Sequence, residues 1–404
     1  MMIMSVFPIV LYAVGSTEKS TVIAALPPDV SPSEALTGVL EYIRDNITPS
    51  PGATVWHEWK AFALARGGVI TETWKNAYLA ALNSALNSPN PSIMSELGKT
   101  TTKERIVLAL TALGINVSKY GSFAGFLNDI NNYAASGTTN ERIFGLLALN
   151  SMPYKNYRAG IGTITQGYNG EIITGLIKAV LDFQHTDGGW VYEGAPNLTA
   201  ASDTDMTAMA IQSLAPYYRK SATVQTAIDR GLAFIKNKQD SVTGGFIGAN
   251  GFISTCSSAQ VVTALAALGI DAADGSWDVT GGNNPLTAIL QNYDKTNKWF
   301  GEYDQLYDSM ATEQAAYALA AYDRLMRVKT TLYDMSDVFG SATGLKGDIN
   351  GDGYVDYNDF LIFLANYGKQ GAGIADTAAD INGDSYVDYN DFLVFLSNYG
   401  KSIY

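Results

Sequence analysis

Apolar residues recur at intervals of three and four along residues 33–326, a spacing that predicts helices. Six segments are rich in Ala and Leu around most of their circumference, and Gly, Asn or Pro closes many of them. These candidate inner helices are 56–68, 102–114, 139–150, 204–215, 257–269 and 311–325. Six more amphipathic candidates alternate with them, at 33–46, 72–87, 120–134, 169–184, 222–237 and 284–295.

This alternation predicts an all-α domain built from six helical hairpins. The Ala-rich helices have no polar face, so each is expected to be buried on all sides. The amphipathic helices are expected to lie outside them with one face in solvent. Closing the hairpins into a ring gives an (α/α)6 toroid of about twelve helices with a central cavity. The alternative is an open α-solenoid.

Two short apolar helices of nearly the same sequence end the chain. Residues 348–369 and 380–401 repeat one pattern at an offset of 32, and they differ only at Gly353/Ser385, Ile362/Val394 and Ala365/Ser397. Each copy is a loop of carboxylates followed by a helix. One stripe of the first helix is predicted to pack against the second helix, and it holds Phe360, Phe363, Leu364 and Tyr367. The apolar residues off this stripe are expected to be exposed, which usually marks a partner surface.

Oxygen ligands follow in each loop at the spacing of a calcium site. An EF-hand loop supplies them from positions 1, 3, 5, 7, 9 and 12. The first loop presents Asp348, Asn350, Asp352, Tyr354 (through its carbonyl), Asp356 and Asp359. The second presents Asp380, Asn382, Asp384, Tyr386 (through its carbonyl), Asp388 and Asp391. Two Ca²⁺ ions are therefore predicted. Position 6 favours Gly, so Ser385 is expected to strain the second loop.

No helix precedes either loop, because Gly347 comes directly before the first and a Gly- and Ala-rich stretch comes before the second. This loop-then-helix organisation over residues 346–404 resembles a type I dockerin, the module that binds a cohesin domain on a scaffold protein. The resemblance implies partner contacts at Tyr357, Asn358, Leu361, Ile362, Tyr389, Asn390, Leu393 and Val394. Since both copies carry the same Tyr–Asn pair, docking in two orientations is expected. Most dockerins carry Ser/Thr or basic residues there, so the cognate cohesin is left open.

Two strings in the helical domain also resemble a known family. Gln184–Trp190 fits the pattern Q-x3-G-x-W, and Gln239–Phe246 is a degenerate copy. This pattern is the QW motif of squalene–hopene cyclases, where it holds the end of an outer helix against the next turn. The domain is similar to the toroid shared by terpenoid cyclases and protein prenyltransferases, and most of all to prenyltransferase-like modules of bacterial and archaeal surface proteins.

Candidate catalytic residues are few. Asp203 and Asp205 match the first and middle positions of the D-x-D-D motif of class II terpene cyclases, but Met206 replaces the last Asp. The alternative is that Asp203 caps a helix and Asp205 favours its positive end. A carboxylate pair for glycoside chemistry needs no sequence adjacency. The acids considered for it are Glu58, Glu171, Glu193, Asp203, Asp205, Glu302 and Asp304.

Aromatic and potential zinc-binding residues give two further possibilities. Trp190, Tyr192, Trp277, Trp299, Phe300 and Tyr303 lie between predicted helices, where they could hold a sugar or an apolar ligand, or else cap helix ends. A prenyltransferase-type zinc site needs Asp, Cys and His. Cys256 is expected to be a small buried filler, His57 a helix-surface or packing residue and His185 part of the QW contact, so this zinc site is not predicted.

Composition limits the functional classes. The chain has 47% hydrophobic and 16% charged residues and a formal net charge of −13, which argues against nucleic acid and anionic membranes as partners. A single Cys excludes an intrachain disulfide. Residues 2–14 are too short to span a bilayer comfortably, and they are typical of a signal-peptide core that lacks its basic region.

The predicted organisation is a signal peptide (1–20), a toroid (30–328), a linker (329–345) and a dockerin-like domain (346–404). The sequence predicts a protein that is secreted or associated with the cell surface and held on a cohesin-bearing scaffold in calcium. It favours a toroid that binds a ligand or a protein over a catalytic one. The alternative is a hydrolase or lyase acting on polysaccharide, and a terpene cyclase-like enzyme comes third.

Overall fold

The computed structural model of the chain describes residues 29–50, 57–133, 136–151, 171–192, 201–248, 251–302, 306–340, 345–349, 354–382 and 384–401. Within these ranges it contains sixteen α-helices and two short β-hairpins. No helix of the described ranges is long and apolar enough to cross a membrane. The predicted signal peptide lies outside these ranges.

Six of the described helices form an inner layer: α2 (Glu58–Arg66), α5 (Thr100–Ala112), α7 (Thr139–Asn150), α9 (Thr204–Leu214), α11 (Thr255–Leu268) and α13 (Ser309–Met326). Each packs against the next in this order, and α13 packs against α2. The inner layer is therefore a closed ring, which confirms the predicted toroid and excludes the open solenoid. Along α11 every residue from Thr255 to Ala266 is buried, as its Ala-rich sequence requires.

The outer layer surrounds this ring. Its members are α1 (Pro32–Asn46), α3 (Glu72–Leu86), α6 (Ala124–Tyr133), α8 (Glu171–Leu181), α10 (Ala222–Lys238) and α12 (Pro285–Leu290). Each of these helices was predicted from its amphipathic pattern. A further helix, α4 (Pro91–Gly98), packs on α3 and α5 and was not predicted. The remaining helices are α14 (Ser336–Gly340), α15 (Tyr357–Asn366) and α16 (Tyr389–Asn398).

Three of the turns that lead from an outer to an inner helix are built alike. A fully buried aromatic residue pairs with the N-cap residue of the next inner helix, as Trp190 with Asp203, Phe246 with Ser254, and Phe300 with Asp308. In two of the turns a hairpin carries the aromatic residue: β1 (Phe246–Ile247) with β2 (Ile253–Ser254), and β3 (Tyr293–Asp294) with β4 (Trp299–Phe300). Each aromatic side chain therefore packs at the start of an inner helix.

Glutamine side chains tie two of these turns to neighbouring helices. Gln184 donates from Nε2 to the carbonyls of Gly188 (2.8 Å) and Ala227 (2.7 Å). Gln239 donates in the same way to the carbonyls of Gly244 (3.0 Å) and Trp277 (2.8 Å). The role inferred for the QW string and for its degenerate copy is therefore confirmed.

The segment after α13 closes one end of the ring. Leu332, Tyr333 and Met335 are buried, and the Tyr333 ring stacks on Phe62 of α2 with centroids 5.4 Å apart. A charged cluster holds this segment in place, because Arg66 and Arg324, at the ends of α2 and α13, both donate to the Asp337 carboxylate. Arg66 also donates to the Leu332 carbonyl at 2.8 Å.

The tail has pseudo-twofold symmetry. Val355 of the first repeat exchanges backbone hydrogen bonds with Gly400 (2.8 Å) and Lys401 (3.0 Å) of the second. Val387 makes the equivalent bonds with Gly368 (2.8 Å) and Lys369 (2.9 Å). Between the repeats, four phenylalanine rings form a stacked core: Phe360, Phe363, Phe392 and Phe395. The two repeats therefore form one core and depend on each other to fold.

The stripe predicted to join the two tail helices is only half correct. Phe360 and Phe363 pack in the core, but Leu364 and Tyr367 are exposed. Ile362, predicted to contact a partner, is half-buried against the core instead. The reason is that four phenylalanines already fill the contact between helices of ten residues, so Leu364 and Tyr367 stay exposed, with the Tyr367 ring against Phe363 of its own helix.

Candidate functional site

The first turns of the inner helices lie together at one end of the ring. Glu302 binds the N-terminus of α11, where Thr255 N–H donates to it at 2.9 Å. Lys60 of α2 contacts Glu313 of α13, and Glu58 of α2 contacts Arg105 of α5. These contacts join the beginnings of neighbouring helices, so the inner helices run parallel. The positive ends of their dipoles therefore converge at this end.

Trp59 lies inside the ring near this end. Its ring contacts Phe62 of the same helix, Phe144 of α7 and Tyr317 of α13, with centroids 5.4–5.6 Å apart. Although aromatic rings surround it, Trp59 is only half-buried. The opposite end is covered by Tyr333. We call the interior of the ring around Trp59 the pit; Phe62 connects it to Tyr333 at the other end.

Four charged side chains lie at the α2 side of the pit. The Lys60 ammonium contacts Glu313 Oε2 at 2.5 Å, with both side chains nearly buried. Glu58 Oε2 lies 3.9 Å from Arg105 Nε, and Glu58 Oε1 has no hydrogen-bond partner. Burial raises the pKa of Glu58 to about 7, although Arg105 opposes this. Burial also raises the pKa of Glu313 despite Lys60.

A chain of amides continues across the pit. Gln212 of α9 donates from Nε2 to Oε1 of Gln260 on α11 at 3.0 Å, and Gln260 donates to the hydroxyl of Tyr317. Gln212 Oε1 is buried without a partner. Because Tyr317 contacts Trp59, this network connects to the aromatic residues inside the ring.

Asp203 and Asp205 occupy different positions. Asp203 is the N-cap of α9 and accepts from Met206 N–H at 2.7 Å, as the capping alternative predicted. Its counterparts in the other two turns, Ser254 and Asp308, cap their helices in the same way. Asp205 instead faces α11, where its carboxylate accepts from the Ser257 hydroxyl close to Glu302. Burial raises the pKa of Asp203 to about 6, and it raises the pKa of Asp205 too.

The loop aromatics divide into two groups. Trp190, Trp277 and Phe300 are buried and cap helix ends, as one of the two alternatives predicted. Tyr192 is exposed and Trp299 is half-buried. Exposed apolar side chains that the sequence analysis did not single out lie in the same turns, and they are Ile247, Phe252, Leu306, Tyr307 and Met310. These turns form an apolar rim beside the first turns of α9, α11 and α13.

The remaining candidates are the cysteine and the two histidines. Cys256 is buried. Its burial, and to a smaller extent the nearby Glu302, raise the pKa of its thiol well above the usual range. His57 precedes α2, and burial lowers its pKa to about 4, so it is neutral. His185 is buried in the QW turn. The side chain of Glu171, and Glu193, Tyr303 and Asp304 as a whole, lie outside the described residues.

The second tail loop gathers carboxylates around one point. Asp380, Asp384 and Asp391 each place an oxygen so that all three lie within 4.8 Å of one another. Oxygens that share one Ca²⁺ are separated by up to about 5 Å, so this set fits the ion. Asp388 caps α16 and accepts from Asn390 N–H at 2.7 Å. Ser385 has φ of 72°, which confirms the expected strain at position 6.

The first loop is described in part. Asp359 is fully buried and accepts from Ile349 N–H at 2.7 Å and Asp356 N–H at 2.9 Å. Asp356 caps α15, as Asp388 caps α16. Asp348 and Tyr354 are among the described residues, whereas Asn350, Asp352 and Gly353 lie outside them.

The two tail helices present matching faces to solvent. Tyr357 and Tyr389 are 61% and 60% exposed, and Leu361 and Leu393 are 48% and 47% exposed. Asn358 and Asn390 are exposed beside them, and Val394, like Ile362, is half-buried. Two pairs that were not predicted complete the faces: Leu364 with Leu396, and Tyr367 with Tyr399. Exposed Tyr and Leu in equivalent places form two nearly equal apolar surfaces.

These features define a two-part protein, in which an (α/α)6 toroid with an acid-lined pit is followed by a paired loop–helix module. The module is a dockerin type I domain, because residues 346–399 match the family profile of that domain. No curated protein matches the chain.

Two solved structures resemble the chain in outline. One is an unsaturated glucuronyl hydrolase from Bacillus sp. GL1, responsible for the degradation of glycosaminoglycan, with 12% identity and a TM-score of 0.48; the match covers 76% of this chain and 99% of that one. The other is an unsaturated glucuronyl hydrolase specific for heparin, with 11% identity and a TM-score of 0.49, and here 74% of this chain and 99% of that one are covered.

Proposed function

We propose that the C-terminal module attaches this protein to a cohesin domain of a scaffold, in calcium and outside the cell. The observation that carries the proposal is the pair of matching Tyr/Leu faces on α15 and α16. Exposed apolar surface of this kind usually marks a partner site. Because the faces are related by the pseudo-twofold axis, either one can meet the same partner surface.

Calcium is expected to hold the module in its folded form. The second loop gathers carboxylates that repel one another without a cation, the first loop has the same acidic residues in its sequence, and the core of the module consists of a few side chains. Metal binding should therefore be coupled to folding. The twelve predicted ligands correspond to two ions, one for each loop. Chelation with EDTA should remove the circular-dichroism signal of α15 and α16, and an unchanged signal would contradict this coupling.

Binding to cohesins with and without EDTA tests the docking. With two equal faces, Tyr357→Ala or Tyr389→Ala alone should weaken binding about twofold, because one orientation is lost. The double variant should weaken binding tenfold or more, since exposed Tyr residues often dominate interfaces. Tyr192→Ala, an exposed tyrosine of the toroid, is the control and should change nothing. If one single variant removes binding as completely as the double variant, the two faces are not equivalent.

For the toroid we propose the alternative function, a hydrolase or lyase that acts on a polysaccharide. A specific observation favours it over a purely binding role. Buried carboxyl groups with raised pKa values, Glu58 and Asp205, lie in the first turns of two inner helices, where Trp59 and the apolar rim also lie. A carboxyl group whose pKa is raised by burial is better suited to act as a general acid. Glu302, whose oxygens accept from the start of α11, would supply the second carboxylate.

Release of reducing ends or of unsaturated products from a panel of polysaccharides tests this activity. Asp205→Asn should lower turnover by at least a hundredfold if Asp205 transfers the proton. Asp182→Asn removes an exposed carboxylate that pairs with Lys178 and is the matched control. Full activity in Asp205→Asn would reject the role of Asp205. If no polysaccharide in the panel is cleaved, the toroid is a binding module.

A further inference from the structure

A groove lies on the outside of the ring, between α1 and the hairpin of β3 and β4. It has a volume of about 270 Å³, and it is lined by Thr37 and Glu41 of α1 and by Tyr293 and Lys298 of the hairpin. The two walls meet at Gly38, where a Cβ atom would lie 1.9 Å from the Tyr293 hydroxyl. Only glycine allows this approach, so the groove depends on the residue that α1 carries at this place.

Lys298 reaches from the hairpin to α1 in this groove. Its ammonium lies 2.7 Å from Glu41 Oε2, and both side chains remain exposed. The backbone of Lys298 is left-handed, with φ of 63°, a conformation that favours glycine. An exposed ion pair adds little stability, so the pair does not explain why a lysine is kept at a strained place. Strain of this kind is typical of a residue whose side chain has a function.

Three aromatic side chains lie next to this ion pair. Tyr42 follows Glu41 in the chain, Trp299 follows Lys298, and Tyr307 contacts both rings, with centroids 5.9 Å from Tyr42 and 5.7 Å from Trp299. The hydroxyls of Tyr42 and Tyr307 also form a hydrogen bond. Tyr307 is 45% exposed, and the other two rings are half-buried. We call these three residues the aromatic trio.

The chemistry of the groove and of the aromatic trio favours a neutral polysaccharide as the ligand. Aromatic rings with a polar edge bind the apolar faces of sugars, and hydroxyl, carboxylate and ammonium groups beside them bind sugar hydroxyls. The surrounding charges form three ion pairs: Lys298 with Glu41, Lys295 with Asp29, and Arg44 with Asp45. Glu34, which also lines the groove, adds a further carboxylate. An anionic polysaccharide would therefore be repelled.

The aromatic trio also lies close to the second carboxylate of the proposed active site. Gly301 pairs with Tyr307, and Glu302 follows Gly301 in the chain. Asp308, the N-cap of α13, follows Tyr307, so the aromatic trio lies at the end of the ring where the first turns of the inner helices meet. A polysaccharide chain held by the aromatic trio would therefore pass beside Glu302.

We propose that the groove and the aromatic trio form a second binding site, which holds a neutral polysaccharide chain on the outside of the ring. This site goes beyond the proposed function, because binding there requires neither the pit nor its acids. It predicts that the protein binds such a chain even when Asp205 is replaced.

Affinity electrophoresis of the full-length protein in calcium tests this site. The gels contain hydroxyethylcellulose, arabinoxylan or galactomannan as neutral polysaccharides, or polygalacturonate as the anionic one. The protein carries Asp205→Asn, so that the polysaccharide stays intact during the run. At least one neutral polysaccharide should retard the protein, whereas polygalacturonate should not.

Three variants locate the contact. Trp299→Ala and Tyr307→Ala should each weaken binding about tenfold, because exposed aromatic anchors often dominate binding. Tyr218→Ala, which removes a half-buried tyrosine beyond the C-terminus of α9 at the opposite end of the ring, is the matched control. Lys298→Gly should weaken binding about fivefold, since a charged donor is lost, yet keep or raise the stability to urea, because glycine suits this backbone. The site can therefore be tested even if Trp299→Ala folds poorly.

The outcomes separate this site from the activity proposed for the toroid. Retardation that the three variants leave unchanged overturns the second site, and so does equal retardation by polygalacturonate. Cleavage that depends on Asp205, without retardation by any neutral polysaccharide, rejects the second site alone. Retardation without cleavage supports the second site and rejects the catalytic role. A dimer in sedimentation analysis that Tyr307→Ala dissociates would assign the aromatic trio to a second copy of the chain instead.

Discussion

The charged cluster at the closed end of the ring makes a quantitative prediction about stability. Asp337 accepts from Arg66 and Arg324, whose side chains are only 2% and 6% exposed. Asp337→Asn would leave two buried guanidinium groups without their anion. Breaking a buried ion pair costs about 3–5 kcal/mol. Because Asp337 is itself 31% exposed, solvent screening should reduce the loss in free energy of unfolding to about 2–3 kcal/mol.

The pH dependence gives a second measure of the same contact. Burial alone would raise the pKa of Asp337, but Arg66 and Arg324 outweigh it and hold the pKa below its usual range. The stabilisation is therefore complete above the unfolded carboxyl pKa of about 4 and is lost as pH falls through the lower folded value. Asp337→Asn should remove this acid dependence.

Urea unfolding followed by tryptophan fluorescence is the assay, because Trp59 contacts Phe62, on which Tyr333 of the closing segment stacks. The control is Asp323→Asn, which removes an exposed pair with Arg327 one helical turn away and should cost less than about 0.5 kcal/mol. If Asp337→Asn and Asp323→Asn unfold at the same urea concentration, the cluster does not hold the closing segment, and the reasoning is wrong.

Three further changes test other parts of the fold. Gln184→Ala removes two hydrogen bonds of the QW turn and should cost about 2 kcal/mol, measured in the same urea assay; a loss below about 0.5 kcal/mol would contradict the role of Gln184. The pKa of Glu58 in the folded protein is about 7, above its unfolded value, so the free energy of unfolding should fall by up to about 3 kcal/mol as pH rises from 4.5 to 7. Glu58→Gln should remove this pH dependence. If the pH dependence persists in Glu58→Gln, another group causes it. The left-handed backbone of Ser385 costs about 1 kcal/mol, and Ser385→Gly removes this cost. The calcium affinity of the second loop should therefore rise about fivefold in a calcium titration. Unchanged affinity would mean that Ser385 adopts this conformation at no cost.

Much of the toroid could be predicted because the spacing of apolar residues within each segment is enough to indicate a helix. The segment 102–114 became Thr100–Ala112, and 311–325 became Ser309–Met326. The helix Pro91–Gly98 was missed, since eight residues are too few to show a clear period. Closure by Leu332, Tyr333 and Met335 was missed as well. That contact depends on where α2 and α13 meet, which no local pattern encodes.

The calcium loops and the pit differ in how far apart along the chain their residues lie. Most calcium ligands of a loop lie within twelve consecutive residues, so their spacing alone indicates the ion. The pit combines Lys60 with Glu313, which are separated by 253 positions along the chain. Glu58 was considered only as one acid among several. A signal did exist, because Glu and Lys in the first turn of an Ala-rich helix that is buried on all sides require partners.

Internal repetition has opposite meanings in the two parts of the molecule. In the toroid, Asp203, Ser254 and Asp308 occupy equivalent places and all cap helices, so the repeated position serves the fold. Asp205 is not repeated, since Cys256 and Met310 stand at the equivalent places, and it is the acid that faces a neighbouring helix. In the tail, the repeated Tyr and Leu positions are the exposed ones. In a ring of similar hairpins, a catalytic residue is expected at a position that the other hairpins do not repeat. A module that docks in two orientations needs two equal faces. Substitutions that break the repeat should therefore impair docking when made in the tail, and substitutions that restore the repeat should impair chemistry when made at Asp205.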